Sequence, residues 1–117
     1  MTESDVPYTT LPNDLQYREL APGDGEDHPT AVDVVTVHYT GEFENGDVFD
    51  SSVERGQPAT FPLSGVIPGW TEGVQLMTKG AKFQFIIPHQ LAYGEDGFGD
   101  AIPPCETLYF EIELLDF

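Results

Sequence analysis

The side chains that most often carry out covalent catalysis are scarce in this sequence. Its single cysteine, Cys105, lies outside any recognisable nucleophile motif. Its three histidines, His28, His38 and His89, do not have the spacing of metal ligands. We therefore expect neither cysteine chemistry nor a metal centre, and we expect no cofactor.

Carboxylates are abundant, and two kinds of chemistry could use them. The acidic segment from Gly94 to Asp100 invites comparison with a calcium loop, but it lacks the alternating oxygen ligands and terminal glutamate of an EF-hand. A pair of carboxylates could also hydrolyse glycosidic bonds. The residues alone leave that reaction open, although a domain of this size offers no obvious cleft for a sugar.

Several aromatic residues stand next to turns or at the start of a predicted helix. They are Tyr39, Phe49, Trp70 and Tyr93. Large aromatic side chains dominate ordinary protein interiors, so each of them fits a place in the core. The same side chains would form an apolar pocket if the fold brought them together. Their spacing leaves both interpretations open.

The charge balance is extreme, because 21 Asp and Glu residues oppose 4 Lys and Arg residues and give a formal net charge of -17. A phosphate backbone attracts Lys and Arg, so this field argues against DNA, RNA and anionic membranes as partners. We interpret most of the acidic residues as a solvated anionic shell. Such a shell suits a salt-rich cytoplasm, where cations screen its self-repulsion, and we therefore expect a cytoplasmic protein adapted to salt.

The length of 117 residues suits one domain, because single cores usually occupy about 100 to 150 residues. Residues 1–14 show no periodicity and predict a flexible arm, whereas residues 15–117 predict the folded domain. Residues 1–10 lack the basic and apolar segments of a signal peptide. No run of the sequence approaches the ~18 apolar residues of a membrane span.

Alternating apolar residues predict an antiparallel sheet of about five strands. The alternation occurs near residues 15–20, 34–40, 48–50, 61–63, 83–87 and 108–115, with Gly41 expected to stop the second segment. The period changes between Gly69 and Gly80, where Trp70, Val74 and Met77 form one apolar stripe on a short helix that Gly80 can end. The predicted fold class is α+β, with a curved antiparallel sheet wrapped around one short helix.

Six short segments carry a specific resemblance to known proteins. They are VTVHYTG at 35–41, FDSS at 49–52, VIPGW at 66–70, LAYG at 91–94, IPP at 102–104 and LL at 114–115. In this order they resemble the FK506-binding protein (FKBP) family, and the resemblance covers roughly Leu15 to Phe117. The arrangement looks closest to bacterial-type or related single-domain members.

The resemblance implies a peptidyl-prolyl cis-trans isomerase, which rotates X-Pro peptide bonds and assists protein folding. It also implies a hydrophobic pocket between the helix and the sheet. The expected partners are proline-containing polypeptides and the macrolides tacrolimus or rapamycin, and we expect a monomer. The alternative is a catalytically weak chaperone or interaction module that only binds proline-containing segments.

Site residues follow from the resemblance position by position, with Trp70 as the floor of the pocket. The implied catalytic residues are Tyr39, Asp50, Ile67, Trp70 and Tyr93, and the implied ligand-binding residues are Phe49, Arg55, Val66, Phe98, Ile102 and Phe110. Asp50 and the Tyr93 hydroxyl would supply polar groups, and the Ile67 backbone N–H would donate to a substrate carbonyl. Arg55 would pair with Asp50.

The sequence departs from the best-known pocket of this family at three positions. Ala59 stands where phenylalanine is common, Gly65 where an acidic residue occurs, and Phe98 where a histidine occurs in the long loop. We expect Ala59 to make one side of the pocket shallower. These differences bear on ligand affinity and on the residue preferred before proline.

Overall fold

The computed structural model describes residues 6–117 and contains an antiparallel sheet with two short helices. The strands are β1 (Thr9–Thr10), β2 (Gln16–Ala21), β3 (Val34–Phe43), β4 (Val48–Ser51), β5 (Ala59–Pro62), β6 (Lys82–Ile87) and β7 (Leu108–Asp116). The helices are α1 (Ser52–Arg55) and α2 (Pro68–Val74), and single 3₁₀ turns span Leu63–Gly65 and His89–Leu91. The α+β fold class predicted from the sequence is confirmed.

The strand order in the sheet is β1-β2-β6-β7-β3-β4, and β5 pairs with β3 beside β4. Successive side chains of a strand point to opposite faces of the sheet, so one set of alternate residues is buried. Val35, Val37 and Tyr39 of β3 point into the core, as do the alternate residues of β7 from Leu108 to Leu114. The sheet has seven strands, more than the five expected, because the two-residue β1 is counted and the short β4 and β5 pair separately with β3.

Helix α2 packs across β6 through its glycines and its apolar stripe. A Cβ built on Gly69 would lie 2.5 Å from Ile87 Cγ2, so only glycine permits this close approach of helix to sheet. Trp70, Val74 and Met77 are all buried, as their spacing predicts. The helix nevertheless ends at Val74 rather than at Gly80. Tight turns follow, and the Gly80 N–H donates instead to the Leu114 carbonyl at 2.7 Å.

Gly41 does not stop β3, which continues to Phe43. The prediction of a strand end there was wrong because the glycine serves packing rather than chain reversal. A Cβ at this position would lie 2.6 Å from Phe49 Cζ and 2.8 Å from Phe110 Cε1. The chain reverses later, at Asn45-Gly46, where the Phe43 N–H donates to the Asp47 carbonyl at 2.9 Å.

The second helix, α1, was not predicted, although the sequence carries its signal. The Ser51 hydroxyl accepts a hydrogen bond from the Glu54 N–H at 3.2 Å and so caps the first turn. Ser-x-x-Glu is the start signature of a capped helix. Gly56, with a φ of 72°, ends α1 in the left-handed conformation.

The predicted arm lies partly outside the described residues, because the structure describes the chain only from Val6 onward. Within the described part, Thr9–Thr10 pairs with β2, and Leu15 is fully buried. The flexibility of the arm and its boundary at residue 14 stay predictions. No helix within residues 6–117 combines the length and apolar character needed to cross a membrane.

Candidate functional site

A cavity of about 420 Å³ opens between α2 and the concave face of the sheet. Its lining comes from six parts of the chain, so only the folded sheet and helix create it. The lining residues are Tyr39, Phe49, Asp50, Phe61, Gly65, Val66, Ile67, Trp70, Tyr93 and Phe110. Most of these side chains are aromatic or aliphatic, which makes the cavity suitable for an apolar ring.

Trp70 lies at the centre of this aromatic lining and is only 5% exposed. The edges of three other rings meet its indole nearly at right angles. The ring centroids lie 5.1 Å away for Tyr39, 5.3 Å for Phe110 and 5.7 Å for Phe61. Edge-to-face packing of this kind fixes ring orientation as well as burying area. The floor of the cavity is therefore a rigid, preformed surface.

The polar side of the cavity is a hydrogen-bonded group of three side chains. The Tyr39 hydroxyl donates to Asp50 Oδ2 at 2.5 Å, and the Arg55 guanidinium donates to Asp50 Oδ1. Arg55 Nη2 also donates to the Tyr39 hydroxyl oxygen at 3.2 Å. Strand β3 supplies the tyrosine, β4 the aspartate and α1 the arginine. The expected Arg55–Asp50 pair is present in the structure.

These contacts shift the proton affinity of the groups involved. Burial raises the pKa of Tyr39 above its ordinary value, and the hydrogen bond to Asp50 raises it further. The hydrogen bond to Tyr39, followed by that to Asp50, raises the pKa of Arg55. At neutral pH the tyrosine is therefore a neutral donor and the arginine a cation. Because its carboxylate already accepts from both, Asp50 is better placed to organise the mouth of the cavity than to remove a proton from a ligand.

Two further donors face the cavity without a protein acceptor among the described residues. One is the Tyr93 hydroxyl, whose pKa is raised by burial and by the nearby negative charge of Asp50. The other is the N–H of Ile67, which directly precedes α2 and is not used by the helix. Either group can donate to a carbonyl oxygen of a bound ligand.

The structure does not bring every predicted site residue to the cavity lining. Arg55 reaches the site only through Tyr39 and Asp50. Phe98 is 61% exposed and packs against Tyr93, with ring centroids 5.2 Å apart. Ile102 is buried but is not among the lining residues, and its N–H and carbonyl both bond to Phe98. The other predicted residues line the cavity.

Sequence reasoning missed Phe61 as a lining residue. It lies in β5 two positions after Ala59, so the two side chains point to the same face of the strand. Ala59 is not among the residues that line the cavity, whereas the Phe61 ring contacts both Trp70 and Tyr39. The alternation of Phe61 with Leu63 was visible in the sequence, but it indicated only a strand. Gly65, noted as a departure, also lies in the lining.

Over residues 6–117, no group of three or more His, Cys, Asp or Glu side chains is placed to hold a metal ion. Cys105 is exposed and is not among the residues that line the cavity. The cavity itself offers apolar walls and hydrogen-bonding groups.

Comparison with known proteins connects this cavity with a family. The family model for FKBP-type peptidyl-prolyl cis-trans isomerase matches residues 25–115. An FKBP-type isomerase named FkpA from Aeromonas hydrophila is 58% identical over 101 residues, which are 86% of this chain and 37% of that protein. FK506-binding protein 1 of Candida glabrata is 44% identical over 108 residues, 91% of this chain and 95% of that protein.

Solved structures show the same architecture. The crystal structure of FkpA from Escherichia coli has a TM-score of 0.89 at 45% identity, over 93% of this chain and 50% of that one. The crystal structure of AtFKBP13 has a TM-score of 0.85 at 35% identity, over 93% of this chain and 97% of that one. The chain thus spans about half or less of the two FkpA proteins. By family model, sequence and fold, it belongs to the FKBP-type peptidyl-prolyl cis-trans isomerase family.

Proposed function

We propose that this domain catalyses rotation about X-Pro peptide bonds in other polypeptides. The observation that carries the proposal is the apolar cavity with Trp70 as its floor and unpaired N–H and O–H donors at its sides. A proline ring fits an aromatic-lined cavity, and the donors can hold the carbonyl groups that flank it. Family membership supports the same reaction.

The reaction needs no nucleophile, because no covalent bond is made or broken. Rotation about the C–N bond loses amide resonance, which gives a barrier of about 18–20 kcal/mol. A site accelerates the rotation if it binds the twisted amide more tightly than either planar isomer, and each ~1.4 kcal/mol of preference gives about tenfold. Turnover within milliseconds to hundredths of a second needs roughly 4–6 kcal/mol of such preference.

The residues of the cavity can supply this preference in two ways. Loss of resonance reduces the charge separation across the amide, so apolar surroundings cost the twisted form less than the planar form. The Ile67 N–H and the Tyr93 hydroxyl can in addition hold carbonyl oxygens in orientations that favour the twist. Asp50, fixed by Tyr39 and Arg55, orders the mouth around them.

A protease-coupled assay on an X-Pro peptide tests this function directly. The wild-type domain should accelerate isomerisation, and Trp70→Leu, Asp50→Ala and Tyr93→Phe should each reduce kcat/KM, by about tenfold or more for the first two. Asp27→Ala removes an exposed carboxylate that does not line the cavity and serves as the matched control. A folded wild-type domain that leaves the rate at its solvent value would falsify the enzyme and favour a module that only binds proline-containing segments.

Ligand binding gives a second, independent test of the same cavity. One relative is named an FK506-binding protein, and we propose that this domain also binds tacrolimus and rapamycin as a monomer. Trp70 is the sole tryptophan, so its fluorescence reports directly on the floor of the cavity. Saturation with tacrolimus should change that fluorescence. If calorimetry detects binding but the fluorescence stays unchanged, the ligand binds outside the cavity.

A further inference from the structure

Strand β3 has a gap in its pairing at the residue that carries the site tyrosine. On one edge it pairs with β5 from Val34 to Val37 and with β4 from Thr40 to Glu42. Between these two segments, no strand within residues 6–117 pairs with Tyr39 on this edge. Its backbone N–H and carbonyl point into the gap, and an unpaired pair of buried backbone groups would be costly.

The side chain of Ser52 fills that gap. Its hydroxyl oxygen accepts from the Tyr39 N–H at 2.7 Å and lies 3.3 Å from the Tyr39 carbonyl oxygen, to which it can donate. Ser52 itself is fully buried. One serine hydroxyl therefore replaces, for a single residue, the two hydrogen bonds that a neighbouring strand would make.

A third contact orients this hydroxyl. His38 Nδ1 lies 2.9 Å from Ser52 Oγ. A hydroxyl has one proton and two acceptor positions, so it can satisfy the Tyr39 N–H and carbonyl together when His38 donates to it. Ser52 also comes two residues after Asp50, at the junction of β4 and α1. The same residue is thus tied to both partners of the Tyr39–Asp50 hydrogen bond.

We propose that Ser52 is a positioning residue for X-Pro isomerisation, which fixes the Tyr39 backbone so that the tyrosine ring and hydroxyl stay aligned with Trp70 and Asp50. The inference rests on the proposed function of the cavity. Tyr39 contacts Trp70 edge-to-face and donates to Asp50, so a shift of its backbone would disturb both the floor and the mouth. Ser52 itself does not line the cavity.

The test compares three substitutions at this position with a matched control. Ser52→Ala removes the hydroxyl, Ser52→Cys keeps a similar shape with a much weaker donor and acceptor, and Ser52→Thr keeps the hydroxyl. Leu114→Ala is the control, because it weakens the core at a buried residue of β7 that pairs with Val37 and does not line the cavity. All are assayed for kcat/KM at a low temperature where circular dichroism shows them folded.

We expect Ser52→Ala and Ser52→Cys to lose about tenfold in kcat/KM, Ser52→Thr to recover most of it, and Leu114→Ala to match the wild type. Wild-type rates in both the Ser52→Ala and Ser52→Cys variants would overturn the proposal, and so would an equal loss in Leu114→Ala. Ser52→Cys keeps the test open if Ser52→Ala does not fold.

A spectroscopic readout separates this proposal from the proposed function. Tyrosinate absorbance, taken as the difference from a Tyr39→Phe background, follows the ionisation of Tyr39 alone. In Ser52→Ala and Ser52→Cys the Tyr39 pKa should fall towards its ordinary value as the contact with Asp50 loosens. An unchanged Tyr39 titration in these variants would overturn the positioning role even if the wild type proved inactive.

Discussion

At the scale of single residues, the tyrosines of the site connect its geometry with pH. Tyr39 and Tyr93 both line the cavity, and burial is the first cause of the raised pKa in each. Asp50 adds to the effect in both, through a hydrogen bond to Tyr39 and through its charge near Tyr93. The protonated forms are therefore favoured by folding.

The sign of this linkage predicts a loss of stability in alkali. A group whose pKa is higher in the folded state contributes its stability below the unfolded pKa, about 10 for tyrosine, and loses it as pH rises through the folded value. We expect the free energy of unfolding in urea to fall above about pH 10. Tyr39→Phe should fall less steeply than the wild type over the same range. Parallel curves for the two proteins would contradict the assignment to Tyr39.

Places in the cavity lining could be predicted only where a short motif indicated them. Tyr39, Asp50, Trp70 and Tyr93 lie in segments whose order resembles the family, and all four line the cavity. Spacing alone did not decide whether the aromatic residues among them belong to the core or to a pocket. Phe61 lay outside every such segment, so nothing distinguished it from a core residue.

At the scale of elements, the sequence predicts periodicity better than it predicts ends. The stripe of Trp70, Val74 and Met77 is buried as predicted. Helix α2 nevertheless ends at Val74, and Met77 lies in the turns that follow it. The positions of Phe98 and Ile102 depend on the long loop, where Gly94, Gly97 and Gly99 all have positive φ. No periodic pattern in the sequence predicts the backbone path of this loop.

Close packing at Gly41 predicts that a larger residue at this position of β3 would disturb the cavity lining. In Gly41→Ala the new methyl group would meet the rings of Phe49 and Phe110, both part of the cavity lining. Overpacking of this kind typically costs about 1–3 kcal/mol. We expect chemical denaturation to show that loss, together with a reduced kcat/KM. Gly25→Ala is the matched control, since its Cβ has nothing nearer than 3.9 Å. Equal stability of the two variants would show that the rings move aside without cost.

At the scale of the whole molecule, many exposed carboxylates surround a site whose lining is mostly apolar. The few cations are largely committed to local contacts in the described structure. Arg55 pairs with Asp50, Lys79 lies 3.4 Å from Asp116, and Arg18 donates to Gln84 and packs over the Tyr8 ring. The acidic excess therefore has little compensation, and self-repulsion must weaken the folded state in dilute buffer.

Salt should relieve this repulsion and stabilise the fold. The Debye length falls from about 10 Å at 0.1 M to about 3 Å at 1 M salt, so carboxylates on neighbouring strands and loops stop repelling one another. With a net charge of -17, we expect the melting temperature to rise substantially from low salt to molar KCl. A second series in sucrose separates screening from general stabilisation, because sucrose is excluded from the surface but carries no charge. The proposed salt adaptation fails if the melting temperature stays constant in KCl, or if sucrose at equal osmolality raises it as much.

If screening is the cause, KCl should raise the melting temperature while leaving the Trp70 fluorescence response to tacrolimus unchanged, because the cavity lining is mostly uncharged.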